Sequence, residues 1–572
     1  MKYLELSKIY ADLEENPSRL KKIEILSEFL KKMKEEKDKE TIYLLKGKIF
    51  PDYDERKIGI SDQLAIQAIS KSTGANKEEI IKKWKEIGDL GKVAYEISLK
   101  KKQVTLGSRS LTTQKVLENL RKLPELEGKG TVGKKLSLVT ELLTSASPLE
   151  SLYLIRTLIG DLRIGVLENT IRDAISKAFF NGRENSKEVQ EAIDKSNDIV
   201  KVFNSAKKGK LKELEKISLE VGKPIKAMLA NKVATIKEGF KAVGSPAAIE
   251  NKYDGFRLII HKKDKEIKLF TRRLEEVSKQ FPEVVDYINK YVKGKEFILD
   301  SEAVGFDSKT KEYQPFQNIS QRIRRKYDIE ELQKKLPVEI NVFDVLYHNG
   351  KSLMDEPFKK RSEIVSRIII NKPYKIIRAK QIITDNEKKA EEFYKKALSD
   401  NQEGIMMKNL AAPYQPGRRV GNMIKIKPEE KDLDLVITGA EYGAGKRSGW
   451  MSSFILSCRD EKGNFLEIGK MGTGIKEKEN EKNENNMTFA ELTKMLKPYV
   501  IKESGKEVKI KPKIVISVTY QEIQRSPNYK SGFALRFPAF VALRPDRKPN
   551  DISTLKEVEE DYKKQKRNWQ YG

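Results

Sequence analysis

Ala247-Ala248-Ile249-Glu250-Asn251-Lys252-Tyr253-Asp254-Gly255-Phe256-Arg257, continuing as LIIHKKDKEIKLFTRR to Arg273, is where the texture of this chain changes. Upstream, residues 1 to about 225 read as helical. From here onward short β-rich runs alternate with turns. FRLIIHK, then KDKE, then IKLFTR reads as a hairpin. FILDSEAVGF (297–306), INVFDVLYHNG (340–350), GIMMKNL (404–410) and NMIKIK (422–427) read as further strands, with helical patterns at 328–336 and 387–398. Together they predict an α+β domain over 226–428.

Working outward, the helical part carries its own punctuation. Asn16-Pro17 suits an N-cap followed by Pro at the first helical position. Leu20, Ile23, Leu26, Leu30 and Met33 then recur at helical spacing. Ser147 and Glu150, three apart, form a capping box, and Gly160 suits a helix stop. A second helix follows Gly165 through VLENTIRDAISKAF. The DLRIG turn between them, carrying Arg163, offers backbone N–H groups and a guanidinium to a phosphate; it is also simply a helix–helix connection. Toward the C-terminus DLDLVITGAEYG opens a third texture. SFILSCRDEKGNFLEIGKMG reads as a hairpin and KIVISVTYQEI as a strand, predicting a small OB-type β-barrel over 429–572. KEKENEKNENN (476–486) reads as an exposed charged loop.

Composition bounds the function classes. With 572 residues, about two to four domains are expected. Lys+Arg 113 against Asp+Glu 85 gives a net charge of +28, which points to a polyanionic partner or to a solvated lysine-rich surface. One cysteine excludes an intrachain disulfide and a cysteine-built zinc site, and two histidines leave little material for histidine-based metal or triad chemistry. No apolar signal core and no apolar run of 18 residues is present, so the expectation is a soluble, cytoplasmic protein without a membrane partner.

Lys252-x-Asp254-Gly255-x-Arg257 sets an amine, a carboxylate and a guanidinium around a glycine. A lysine attacks phosphorus only as the neutral amine, so such a site needs burial, cations or a metal nearby. Gly255 lets backbone approach a ligand, and Arg257 suits a ribose or phosphate. The same residues would also serve a plain β-turn beside a surface lysine. Strand alternation puts Lys425 and Lys427 on one face and Ile424 and Ile426 on the other. Paired cations suit a nucleotide phosphate, or a solvent-facing edge strand. Glu302 and Glu403 flank apolar runs and suit Mg²⁺ or a sugar hydroxyl, or are strand-end surface groups. Phe343 suits purine stacking if its face is open, or is core.

Read in order, Lys252-x-Asp-Gly-x-Arg257, Arg272, LDSEAV, VFDVLY, EGIMMK and MIKIK resemble the motif series of the covalent nucleotidyltransferases: ATP-dependent DNA ligases, RNA ligases and capping enzymes. DLRIG with its flanks, KPIKAMLA (223–230) and EIQRSPNYKSGFALRFPAFVALRPD (522–546) extend the likeness over the whole chain. It is similar to the archaeal-type ATP-dependent DNA ligases and, beyond them, to eukaryotic replicative DNA ligases.

That resemblance implies an all-α DNA-binding domain (1–225), an adenylylation domain (226–428) and an OB-fold domain (429–572). It implies Lys252 as the adenylylated lysine and Glu250 as the contact to the adenine amino group. Arg257 and Arg272 would hold ribose and phosphate or the nick 5′-phosphate. Glu302 matches the ribose and metal carboxylate, Glu403 a metal-linked carboxylate, and Phe343 the aromatic on adenine. Lys425 and Lys427 match the pair near the α-phosphate, Arg419 a basic residue preceding it, and Arg163 and Gly165 the DNA-binding turn.

The implied cofactors are ATP and Mg²⁺, with Mn²⁺ as the alternative ion. The implied partner is nicked duplex DNA, with a sliding clamp as a candidate for the helical domain. The expected protein is a monomer in the cytoplasm, associated with the nucleoid of a prokaryote. An RNA-joining or capping nucleotidyltransferase would use residues 226–572 but leave the first 225 without a task. A non-enzymatic basic nucleic-acid binder would leave the motif series without one. Two departures from the family pattern stand out. Met423 replaces a frequent Trp, a packing change. The C-terminal Arg-x-Asp-Lys reads Arg544-Pro545-Asp546-Arg547, which keeps charge but not point-charge geometry, with Lys548 next to it.

Overall fold

The computed structural model describes the chain except residues 35–38, 101–109, 129, 181, 326, 418, 429–430, 444–446, 448, 478–486 and 568–572, and describes backbone alone at 317, 324, 419, 420 and 564–567. It forms two compact units: Met1–Tyr394 with Gln402–Ile426, and Lys395–Asn401 with Lys427–Gly572.

The first unit begins with helices from Tyr3–Glu15 to Leu211–Glu215 around one apolar core that includes Leu6, Leu26, Leu154, Ile171 and Phe203. The helix Arg19–Met33 is capped by Ser18, whose hydroxyl accepts from the Lys21 N–H, and not by Asn16. Asn16 instead ends the preceding helix and donates from Nδ2 to the Asp12 carbonyl, so Asn16-Pro17 is a break between two helices. Ile23, Leu26, Leu30 and Met33 are buried as their spacing predicts, whereas Leu20 is exposed. The Ser147/Glu150 capping box is present on Pro148–Leu158, and Gly160 takes the left-handed conformation (φ 75°) that ends it. The next helix starts at Glu168, three residues beyond Gly165.

The strands of this unit form two sheets. The first has the order β1-β12-β11-β2-β10. Its strands are β1 (Leu229–Lys232), β2 (Ala247–Lys252), β10 (Gln381–Thr384), β11 (Gly404–Asn409) and β12 (Arg419–Ile426). The second runs β4-β3-β5-β7-β8. Its strands are β3 (Phe256–Lys263), β4 (Glu266–Thr271), β5 (Glu296–Phe306), β7 (Val338–His348) and β8 (Lys351–Ser352). Two short strands, β6 (Tyr313–Gln314) on β5 and β9 (Ile376–Arg378) on β7, complete it. The β3–β4 hairpin is tighter than its sequence suggests, since pairing continues to Lys263↔Glu266 and leaves a two-residue turn. The helices Ile329–Lys335 and Glu387–Ser399 stand where their patterns predict.

The second unit is β-rich. Strands β13 (Lys431–Tyr442), β14 (Met451–Arg459) and β15 (Phe465–Met471) form a meander. The capped helix Phe489–Leu496 and the hairpin β16 (Val500–Ser504)–β17 (Glu507–Ile510) follow. Then β18 (Val515–Tyr520) pairs with β13 and with β21 (Ala539–Leu543), while β19 (Glu522–Arg525) pairs with β20 (Phe533–Arg536). KIVISVTYQEI is therefore two strands, because its halves have different partners. A parallel bridge Thr473↔Ala539, with the Phe540 N–H on the Thr473 carbonyl at 2.9 Å, closes the path from the meander to β21. Five strands closed this way, with a helix between the third and fourth, make the OB-type barrel. Its core includes Leu435, Phe454, Leu456, Phe489, Ile516 and Val518. Most of the charged 476–486 stretch lies outside the described residues.

Candidate active site

The site grows from strand alternation. On β2, Glu250 and Lys252 share a face, and Ile249 and Asn251 point the other way. β11 pairs with β2 as Met406↔Glu250 and Gly404↔Lys252, and β12 pairs with β11 as Lys425↔Met406. Glu250, Lys252, Met406, Lys408 and Lys425 therefore lie on one face of the first sheet. The opposite face, with Ile249, Met407 and Ile424, is buried and packs under the helix Ile236–Val243.

The turn after Lys252 carries the chain into the second sheet. An added Cβ on Gly255 would lie 2.3 Å from the Ala303 carbonyl oxygen and 3.0 Å from Glu302 Cγ, so only glycine lets the turn sit against β5. Beyond it, Arg257 stands directly opposite Glu302 across the β3–β5 ladder, and Asp300 is two residues from Glu302 on the same face. Phe343 sits where the β5–β7 pairing slips, from Asp300↔Asp344 to Ser301↔Val342, so a bulge sets the aim of its ring.

At one end of this surface Lys252 Nζ lies 2.7 Å from Glu403 Oε2, and the Glu403 N–H donates to the Lys252 carbonyl at 2.9 Å. Burial, with the Glu403 and Asp300 carboxylates nearby, pushes the Glu302 carboxyl up to about 8 against the pull of Lys252 and Arg257. Arg257 grips Asp300 with Nε (2.8 Å) and Nη2, the Met228 carbonyl with Nη1 (2.6 Å) and the Tyr414 hydroxyl with Nη2 (3.2 Å). Tyr414 in turn donates to Asp300 at 2.7 Å. The guanidinium is mostly spent on protein groups, which leaves about one of its five N–H donors for a ligand.

At the other end Glu250 is nearly sealed (3% exposed), and both its oxygens are partnered. Lys408 Nζ lies 2.6 Å from Oε2, and Gln381 Nε2 donates to Oε1 at 2.7 Å. The Lys408 ammonium lies 4.6 Å from the Phe343 ring centre and 4.5 Å from that of Phe358. A small cleft adjoins this end, bounded among others by Phe343, Phe358, Lys408, Tyr414 and Met423. Met423, in place of the bulkier Trp of the resembled pattern, forms one of its walls.

The geometry thus gathers Glu250, Lys252, Arg257, Glu302, Phe343, Glu403 and Lys425. Lys427 follows the last residue of β12 and is partly exposed. Arg272 is exposed in the turn after β4, and the Arg419 side chain lies outside the described residues. In the helical region Arg163 (φ 57°) turns its guanidinium onto Asp161 at 2.7 Å, Asp89 at 3.2 Å and the Gly88 carbonyl at 3.2 Å. Gly165 (φ 66°) faces Lys22, whose Nζ would be 2.4 Å from an added Cβ. In the second unit Arg544 pairs with Asp434 and Asp546, and Arg547 Nε lies 3.5 Å from Asp434.

Sequence reasoning passed over Asp300, Gln381, Lys408 and Tyr414. Two had a signal: Asp300 is two residues from Glu302 and Lys408 two from Met406, so period-2 alternation alone assigns them to the site faces. Gln381 and Tyr414 reach the site through strand order and loop packing, which no local pattern encodes.

Comparison with known proteins gives a consistent picture. Three family models match in order: DNA ligase N terminus over residues 2–176, ATP dependent DNA ligase domain over 227–427, and ATP dependent DNA ligase C terminal region over 447–547. A DNA ligase of Nanoarchaeum equitans is 44% identical over 567 residues, covering 99% of both chains. One of Thermococcus onnurineus is 41% identical over 570 residues, again covering 99% of each. The solved structure described as Pmar-Lig_PreS3 shares the fold, with a TM-score of 0.58 over 94% of this chain and 99% of its own, at 17% identity.

Proposed function

This chain belongs to the ATP-dependent DNA ligases, and from that membership we propose that Lys252 carries AMP from ATP to the 5′-phosphate of a nicked duplex. One observation supports the assignment above others: the Lys252 amine lies 2.7 Å from Glu403 and its charge acts on the partly buried Glu302. Glu403 is the nearest acceptor for the proton that Lys252 must lose before it attacks. The Nζ lone pair then forms a P–N bond at the α-phosphorus, and the bond to pyrophosphate breaks. An oxygen of the nick 5′-phosphate next displaces the lysine. Finally the 3′-hydroxyl oxygen attacks the phosphorus of the nick 5′-phosphate and gives up its proton to solvent; the new P–O bond seals the strand as the bond to AMP breaks and AMP leaves. Each transfer builds negative charge at phosphorus, and Lys425 and Lys427 supply the positive charge that offsets it.

Glu302 and Glu403 fit a Mg²⁺ or Mn²⁺ site, because two neighbouring carboxylates with one held protonated are what an added cation relieves. When bound, the ion supplies positive charge to the phosphates. Phe343 and Glu250 take the base, as ring and amino-group acceptor. Arg257, opposite Glu302, offers its remaining donor to the ribose. Arg272 and Arg419 serve the phosphates.

The helical domain (1–225) and the barrel (429–572) both hold duplex DNA for the adenylylation domain (226–428), with Arg163 and Gly165 on the backbone. The protein works as a monomer on the nucleoid, with the helical domain as the part that meets a sliding clamp. Among the described residues no helix is long and apolar enough to cross a membrane. Intact-protein mass after incubation with ATP and Mg²⁺ tests the core of this reading. The wild type gains one AMP and Lys252→Ala gains none; the same gain in both would move the nucleophile elsewhere.

A further inference from the structure

Glu250 is held by two residues to which the resemblance assigns no role: Lys408, which closes the EGIMMK stretch, and Gln381, which lies outside the motif series. Its Oε2 faces Lys408 and its Oε1 faces the amide nitrogen of Gln381. That amide cannot turn over. Its own oxygen accepts from Arg378 Nη2 at 2.7 Å and from the Ser362 hydroxyl at 3.0 Å, so only its NH₂ is left for Glu250. On the other side the Lys408 ammonium lies over the Phe343 and Phe358 rings, 4.6 and 4.5 Å from their centres, which favours its charged form there. An ion-pair partner and one amide donor from the protein thus hold the carboxylate as an acceptor with lone pairs to spare.

We infer that Lys408 and Gln381 are positioning residues that set the choice of purine, by presenting Glu250 solely as a hydrogen-bond acceptor. This rests on the reading that Glu250 meets the base of the nucleotide attacked by Lys252. Adenine offers a 6-amino donor, which an acceptor rewards. Guanine offers a 6-oxo acceptor, which it repels, and a purine without a 6-substituent offers nothing. Without Lys408 the carboxyl would lie buried beside Phe343 with half its support. It could then take up a proton and donate to a 6-oxo group, so the preference would relax for a stated chemical reason. Neither residue touches the reacting atoms.

The test measures lysyl-nucleotide formation on the full chain by intact mass, with ATP, GTP and purine riboside triphosphate, which lacks the 6-amino group. Wild type favours ATP over the riboside analogue by at least about tenfold. Lys408→Met brings that ratio close to one, through loss with ATP, while the analogue changes by less than about threefold. GTP gains relative to ATP. Lys408→Arg restores part of the ratio, and Gln381→Met reduces it by a smaller factor. Thermal melting accompanies each variant; if Lys408→Met does not fold, Gln381→Met carries the same readout. Equal slowing with ATP and the analogue in the folded variants would overturn this inference alone. A wild type that takes no nucleotide would overturn the reading beneath it as well.

Discussion

Two lysine–glutamate pairs link β2 to the β11 segment at opposite ends of the site, and they are built in opposite ways. Lys408 on β11 meets Glu250 on β2, with side chains 7% and 3% exposed. Lys252 on β2 meets Glu403, just ahead of β11, with side chains 20% and 18% exposed. Their contact distances are nearly equal, 2.6 and 2.7 Å. What differs is what else each group touches. The first pair is closed by two aromatic rings and a fixed amide. The second faces Glu302, a carboxyl that competes for the same ammonium. One chemistry therefore serves as an anchor where every position around it is filled, and as a reagent where a rival is left beside it.

The largest effect should separate the pairs outright. Lys252→Met abolishes nucleotide transfer and changes folding stability by no more than about 1 kcal/mol, because a partly open pair contributes little. Lys408→Met does the reverse. It leaves Glu250 buried without its counter-charge and costs about 3–5 kcal/mol, read by denaturant unfolding, while slow transfer survives. Equal stability losses in the two variants would dissolve the contrast.

Next, Glu403→Gln keeps the shape but removes the acceptor for the Lys252 proton. Single-turnover adenylylation should slow by about 10²–10³-fold. A smaller loss than that of Glu250→Gln would place the working carboxylate at the wrong end.

The smallest effect is the most specific. Glu302 holds its proton up to about 8 in the free protein, and burial is the main cause. Below pH 8 a divalent cation must displace that proton. Apparent Mg²⁺ affinity, read from the Mg²⁺ dependence of adenylylation, should therefore rise by up to about tenfold per pH unit toward pH 8 and then level off. The sign for folding is the opposite. The group favours the native state while protonated, so its contribution is full in acid and is lost as pH rises through about 8. Glu302→Gln should flatten both dependences, and a slope that persists in that variant would assign the proton to another group.

Much of this was legible in the sequence because a strand writes its faces with a period of two. The alternation of Lys425 with Ile424 and Ile426 and the β3–β4 hairpin needed no partner to be read. The bulge at Phe343 was not legible, since a slip in register belongs to two strands at once. Arg257 read as a ligand for ribose or phosphate, yet most of its donors go to Asp300, Met228 and Tyr414, an allocation that only the tertiary packing decides. The Asn16 cap was misplaced for a local reason: Ser18, on the far side of the same proline, has the hydroxyl that reaches the next turn.

Gly255 carries a mechanical consequence. With its α-carbon seated against the Ala303 carbonyl, the turn behind Lys252 and the strand bearing Glu302 behave as one rigid piece. The spacing between the nucleophile and this carboxyl is thus a fixed gauge. Whatever large motions bring DNA to the site, they must act by moving other parts around this piece, and a methyl group at 255 would be a shim that resets the gauge for all three transfers at once.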